Sequence, residues 1–216
     1  MNFNLVFNRL VGNAANMIFS TVFIGLLVGS TSSSATVLSA TDSSWKVTAN
    51  VPAAGDWNSN IAFNDSGWES ATVLYNVGDY IPGYVAKGIW SSGGQFSTVE
   101  TQFWARSIFN LGALPLSAVV NNGFDDDGDL FINGVQVVSD HNGYANNSFA
   151  DITPYLVLGD NLIAFTATDN FRVWGYNHSA WAQVDATFAR VPEPMSLALV
   201  ALGLGAMGFA RRRTKA

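Results

Sequence analysis

The chain has 216 residues, no cysteine, and sixteen acidic against ten basic side chains, a formal net charge of −6. The missing cysteines exclude disulfide scaffolds, cysteine nucleophiles and thiolate metal sites. Between Thr41 and Arg190 the imbalance grows to fifteen acids against five bases, net −10, a surface that repels nucleic acid and anionic lipid but tolerates neutral glycans and divalent cations.

Residues 1–40 read as a secretory signal peptide. One cation, Arg9, precedes the apolar stretch Met17 to Gly29, which is short for a membrane span, and small residues follow it. Ser33 and Ala35 suit a signal peptidase, which places the cut near Ala35, with Ala40 as a later option.

Residues 41–190 make one domain, of a size that buries a core without disulfides. No long window repeats at helical spacing; short alternating or aromatic runs recur between Gly, Asn, Asp and Pro. Ser44 to Val51 alternates, with Trp45 and Val47 on one side. Ala71 to Tyr75, Phe103 to Leu111 and Leu116 to Asn121 read as further strands. Asn133-Gly134, between Leu130-Phe131-Ile132 and Val135-Gln136-Val137, predicts a two-residue hairpin, because both central positions need positive φ. Asp151 to Leu156 reads as a short turn, and Leu162 to Ala167 and Ala180 to Phe188 as closing strands. Strands in this number without a long helix predict an all-β sandwich.

The last residues, 191–216, have a different character. Val191-Pro192-Glu193-Pro194 stops any regular element, and Met195 to Ala210 then runs without a charge. As a helix those positions span roughly 24 Å, close to the hydrocarbon thickness, which predicts a C-terminal transmembrane helix. Arg211, Arg212, Arg213 and Lys215 favour a cytoplasmic end.

Two resemblances follow from these residues. Val191-Pro192-Glu193-Pro194, the apolar span and the arginine cluster together resemble the PEP-CTERM sorting signal of Gram-negative bacteria. The resemblance implies an exosortase-type membrane protease as partner, a transient stay in the inner membrane, and delivery to the cell surface or an exopolysaccharide-rich biofilm matrix. Within the domain, Phe63-Asn64-Asp65-Ser66-Gly67-Trp68 is similar to a segment of galactose-binding-like jelly-roll domains. Phe103-Trp104-Ala105-Arg106, Asp125-Asp126 before Leu130 to Gly134, Asp151-Ile152-Thr153 and Leu158 to Ala164 follow in that family's order. This implies a jelly-roll sandwich that binds sugars or supports a catalytic partner domain, for which the chain has no room.

Three groups of residues invite chemistry. Asp125, Asp127 and Asp129 alternate along an acidic run, as calcium ligands do, although Gly128 and Gln136 stand where an EF-hand loop would be different. The alternative is a strand-to-strand corner whose aspartates cap backbone amides and in which Gly128 supplies a bulge. Exposed aromatic rings beside Asp or Asn make glycan platforms. Two loops qualify: Tyr80-Ile81-Pro82-Gly83-Tyr84 leading to Trp90, and Phe171 to His178 with Trp174 and Tyr176. Burial in the core is the alternative for these rings and the expectation for Trp45, Trp68, Trp104 and Trp181. Catalysis has little support: no Gly-x-Ser-x-Gly occurs, Glu69 and Glu100 are the domain's only glutamates, and His141 and His178 lie in no zinc motif. The expected function is non-catalytic binding of extracellular polysaccharide through Tyr84, Trp90, Trp174 and Tyr176. A self-associating matrix protein is the second expectation and a small polysaccharide-active enzyme the third.

Overall fold

The computed structural model describes residues 35–93, 102–141, 148–170 and 179–189, all within the second of two compact units, Ser33–Ala216. The apolar part of the signal peptide, Trp174, Tyr176, and the sorting segment Val191 to Ala216 lie outside the described residues. No helix among the described residues is long and apolar enough to cross a membrane.

The described chain is all-β, with two antiparallel sheets packed as a sandwich. One sheet runs β10 (Ser148–Asp151), β7 (Ser117–Phe124), β12 (Ala180–Thr187), β5 (Lys87–Trp90), β4 (Thr72–Asn76). The other runs β3 (Glu69–Ser70), β2 (Lys46–Thr48), β6 (Gln102–Leu111), β11 (Gly159–Thr168), β8 (Asp127–Ile132), β9 (Val135–Asp140). They are called the first and second sheet below. An additional strand, β1 (Ala35–Ala40), pairs with the last half of β12, from Ala35 opposite Thr187 to Ala40 opposite Gln183. β1 lies N-terminal to Thr41, where the sequence reading begins the domain. Buried Thr41 joins the pieces: its N–H donates to Ala182 O (2.9 Å), its carbonyl accepts from Lys87 N (2.8 Å), and its hydroxyl donates to Lys87 O (2.6 Å).

Strict alternation explains the two long central strands. Along β6, Phe103, Ala105, Phe109 and Leu111 enter the core, while Trp104 and Arg106 face the other way. Along β12, Ala180, Ala182, Val184 and Ala186 point inward. These small residues leave room for large rings: Trp90 lies 4.1 Å from Phe103, Trp45 5.4 Å from Phe165, and Phe124 5.5 Å from Phe165, centroid to centroid. Such rings each bury about 150–250 Å² and dominate the packing energy.

The expected hairpin forms at Asn133 (φ 49°) and Gly134 (φ 85°), joining β8 to β9. Gly128 departs from expectation. It sits in regular pairing with Ala167 and Asp140, and the register shift lies instead between Leu130 and Phe131. A side chain at Gly128 would overlap the Phe124 ring, so the residue is a seat for that ring and not a bulge.

The outer face of the second sheet carries a smaller aromatic core. Trp57, Phe63 and Trp68, from the segment preceding β3, cover Trp104, Ala164 and Phe131. Arg106, buried under this cover, holds it down. Its guanidinium donates to Asn60 O (3.0 Å) and Phe63 O (3.3 Å), meets Asp65 at 3.2 Å, and lies 5.2 Å from the Phe63 ring centre.

Candidate functional site

The outer face of the first sheet is built differently. Two glycines inside strands remove side chains where rings must lie: a Cβ at Gly88 of β5 would overlap Tyr75, and one at Gly123 of β7 would overlap the Trp181 indole. Tyr75 and Trp181 can therefore lie close to the sheet. The loop between β4 and β5 then turns at Gly83 (φ 97°) and stands its own two tyrosines on these rings. Tyr80 meets Tyr75 edge-on at 5.5 Å, and Tyr84 meets Trp181 edge-on at 5.2 Å. Tyr80 is 75% exposed and Tyr84 half-buried, whereas Trp181 is covered.

Polar groups continue the face beside the rings. Gln183 accepts the N–H groups of Val85 (2.8 Å) and Ala86 (3.2 Å) on its side-chain oxygen, which locks the loop to β12. Its amide nitrogen donates to both oxygens of Asp185 (3.0 and 3.1 Å), and Asn121 Nδ2 donates to Asp185 Oδ2 (3.3 Å). In the ladder, Gln183 stands opposite Asn121 and Asn121 opposite Phe149, whose ring is 76% exposed on the edge strand β10. Neighbouring strands lie about 4.8 Å apart, so Phe149 and Asn121 stand side by side, while Gln183, 2% exposed, is buried beneath the loop. Burial, and secondarily the Asp185 charge, push the Tyr84 hydroxyl above its ordinary pKa of 10.0. It stays a neutral donor and acceptor at physiological pH. The face thus offers apolar ring surface, a neutral phenol, the half-buried Asn121 amide and the half-buried Asp185 carboxylate, the last already held by amide donors.

Of the residues picked from sequence, Tyr84 belongs to this face. Trp90 does not: it is fully buried between the sheets against Phe103, and its place as a glycan platform is withdrawn. The acidic run takes the corner reading. Asp125 and Asp126 form the corner by which the chain leaves β7 in the first sheet and enters β8 in the second. Their N–H groups donate to Ser179 O (3.0 Å) and Thr168 O (2.8 Å). Asp126 accepts the Asn170 N–H (2.8 Å), and Asp127 accepts the Asn170 side-chain amide. Asp129 accepts from Gln136 Nε2 (2.8 Å), and His141 Nε2 lies 3.3 Å from it. Protein donors thus meet the side chains of Asp126, Asp127 and Asp129, and no group of three or more potential ligands among the described residues is placed to hold a metal ion. Of the two readings of Asp125, Asp127 and Asp129, calcium and corner, the observed contacts are those of the corner.

Sequence reasoning missed the polar row and the ring seats. Trp181 reads as core in a strand pattern, and only its pairing opposite Gly123 reveals an outward ring pressed onto the sheet. A glycine inside each of two strands was the available signal.

No protein-family model matches the chain, and no curated protein matches it. Among solved structures, it is similar to a beta-glycosidase from Bacteroides vulgatus, with 20% identity over 68% of this chain and 20% of that one, at a TM-score of 0.45. A beta-glucuronidase 2 from Bacteroides uniformis gives 16% identity over 71% and 18%, at 0.47. An exo-chitosanase from Amycolatopsis orientalis gives 17% over 69% and 20%, at 0.46. The chain spans about a fifth of the length of these enzymes, and at these values the likeness assigns it neither an activity nor a ligand.

Proposed function

We propose that the protein is exported to the cell surface or extracellular matrix and there binds polysaccharide without cleaving it. The observation that carries this is the Tyr80–Tyr84 loop, with two accessible rings standing on two seated rings beside an amide-held carboxylate. Sugars offer apolar C–H faces to rings and hydroxyls to amides and carboxylates, and this face supplies both. Asp185 is dressed with donors, which suits an acceptor of hydroxyl groups better than a proton-donating catalyst. The ordered segments from Phe63 to Ala164 support the finer description as a galactose-binding-like jelly roll. Export and sorting rest on the two termini, with an exosortase-type protease acting near Pro192-Glu193-Pro194 and Arg211, Arg212 and Arg213 marking the cytoplasmic end.

The test is binding of the detergent-solubilised chain to an array of neutral glycans and exopolysaccharides. Saturable binding is expected, falling at least tenfold in Tyr80→Ala (about 1.4 kcal/mol) while the unfolding midpoint stays put. Loss of fold in that variant, or binding indifferent to it, would remove the face from consideration. A second reading, self-association, is favoured by Phe149 on an edge strand. Ligand-free oligomers that Phe149→Ser disperses would support it.

A further inference from the structure

The connections at the two ends of the sandwich differ in charge. At one lie the Asp125-Asp126 corner, Asp127, Asp129 and His141. At the other lie the β6–β7 connection, Gly112 to Leu116, and the β10–β11 connection, Ile152 to Leu158, neither of which contains a charged residue. The ladders place these two connections together: Gly159 pairs with Leu111, Ser117 with Thr187, and Leu116 N donates to Thr187 O (2.7 Å). Leu114, Leu116, Val157 and Leu158 are each 50–67% exposed there, with Val135 and Tyr155 also accessible.

These side chains are held outward by the fold. Ile152 and Leu156 are buried in the core, which leaves Val157 and Leu158 outside. Buried Asn161 accepts the Val157 N–H (2.9 Å) and donates to the Val157 carbonyl (2.8 Å), while Asn133 donates to the Tyr155 carbonyl (2.8 Å). A segment fixed at both backbone groups of Val157 cannot turn its apolar side chains inward. Exposed apolar surface kept in place this way marks an interaction surface.

The chain itself says what covers it. β12 ends at Thr187, at this same end, and only seven residues separate it from the apolar run Met195 to Ala210. Seven residues span at most about 25 Å even when fully extended. We infer that this end of the sandwich, with Leu114, Leu116, Val157 and Leu158, lies against the lipid bilayer while the chain is tethered by its C-terminal run. The inference rests on reading that run as a membrane helix. Zwitterionic lipid is the fitting surface, because the two loops bring no charge and the exposed carboxylates of Asp151 and Asp160 beside them would repel anionic lipid.

The absence of cysteine permits single labels in the full chain. An environment-sensitive fluorophore is placed by Leu158→Cys, Leu202→Cys or Ser139→Cys, the last in β9 beside Asp129. Each is reconstituted into phosphatidylcholine vesicles carrying a lipid-borne quencher. The expected result is strong quenching and a blue shift at 202, several-fold greater quenching at 158 than at 139, and loss of that excess when Leu114→Ser and Leu116→Ser are added. Quenching at 202 with 158 behaving like 139 overturns the docking alone. No quenching at 202 overturns the membrane reading of the run and the docking with it.

Discussion

The two outer faces of the sandwich use the same kind of residue for opposite ends. Over the second sheet, Trp57, Phe63 and Trp68 close down on Trp104 and Phe131, with Trp57 5.9 Å from Phe131, and Arg106 ties the cover by its backbone carbonyls. Over the first sheet, Tyr75 and Trp181 are pressed flat by glycine gaps, and the loop above them keeps Tyr80 open. Aromatic content alone therefore does not separate a core from an open face. What decides is whether a covering segment is anchored across the rings or stands upon them.

The largest effect should come from removing the anchor. Arg106→Ala deletes two hydrogen bonds, an ion pair and a ring contact beneath the cover, and is expected to cost about 3–5 kcal/mol in denaturant unfolding. The near-ultraviolet signal of Trp57 and Trp68 should be lost first. If the second face is only decorative, the midpoint will hardly move.

A smaller loss is expected on the opposite face. Gly123→Ala forces a methyl group into the Trp181 indole, at a cost of about 1–3 kcal/mol, and should displace Tyr84 and weaken glycan binding together. Stability lost without any change in binding would separate the ring seat from the site.

Titration offers a milder probe. The Tyr84 pKa is raised by burial first and by Asp185 second, so its contribution is complete below pH 10, the ordinary tyrosine value, and disappears as pH rises through the folded value. Tyrosinate absorbance should show a late-ionising group that Tyr84→Phe deletes and Asp185→Asn moves only part of the way back. The smallest effect belongs to Asp151, whose pKa is lowered by hydrogen bonds from the Thr153 hydroxyl and N–H. Its contribution is present at neutral pH and fades as pH falls through the depressed folded value. Asp151→Asn should flatten a slight acid-limb slope in stability and leave binding untouched.

Much of this was legible from residue order. The hairpin at Asn133-Gly134 needs only local chemistry, and the alternation of β6 and β12 comes from neighbours two apart. Trp90 was misread because its strand has four residues and sits between glycine- and serine-rich stretches, so its burial depends on Phe103, further along the chain. β1 was hidden for a different reason. Ala35-Thr36-Val37-Leu38-Ser39-Ala40 carries the small residues a signal peptidase favours, and only its pairing with β12 reveals it as a strand. A cut after Ala35 leaves that strand almost whole; one after Ala40 removes it. The polar row of Asn121, Gln183 and Asp185 was invisible because three side chains from two strands meet only through register.

β12 carries Trp181 beneath Tyr84 near its start and ends at Thr187, from which the tail departs. Should the proposed ligand contact and membrane tether both hold, the pull between them would enter β12 through Trp181 and Gln183 and run along its covalent backbone, sparing the pairs with β7. The strand would then act as the molecule's tendon.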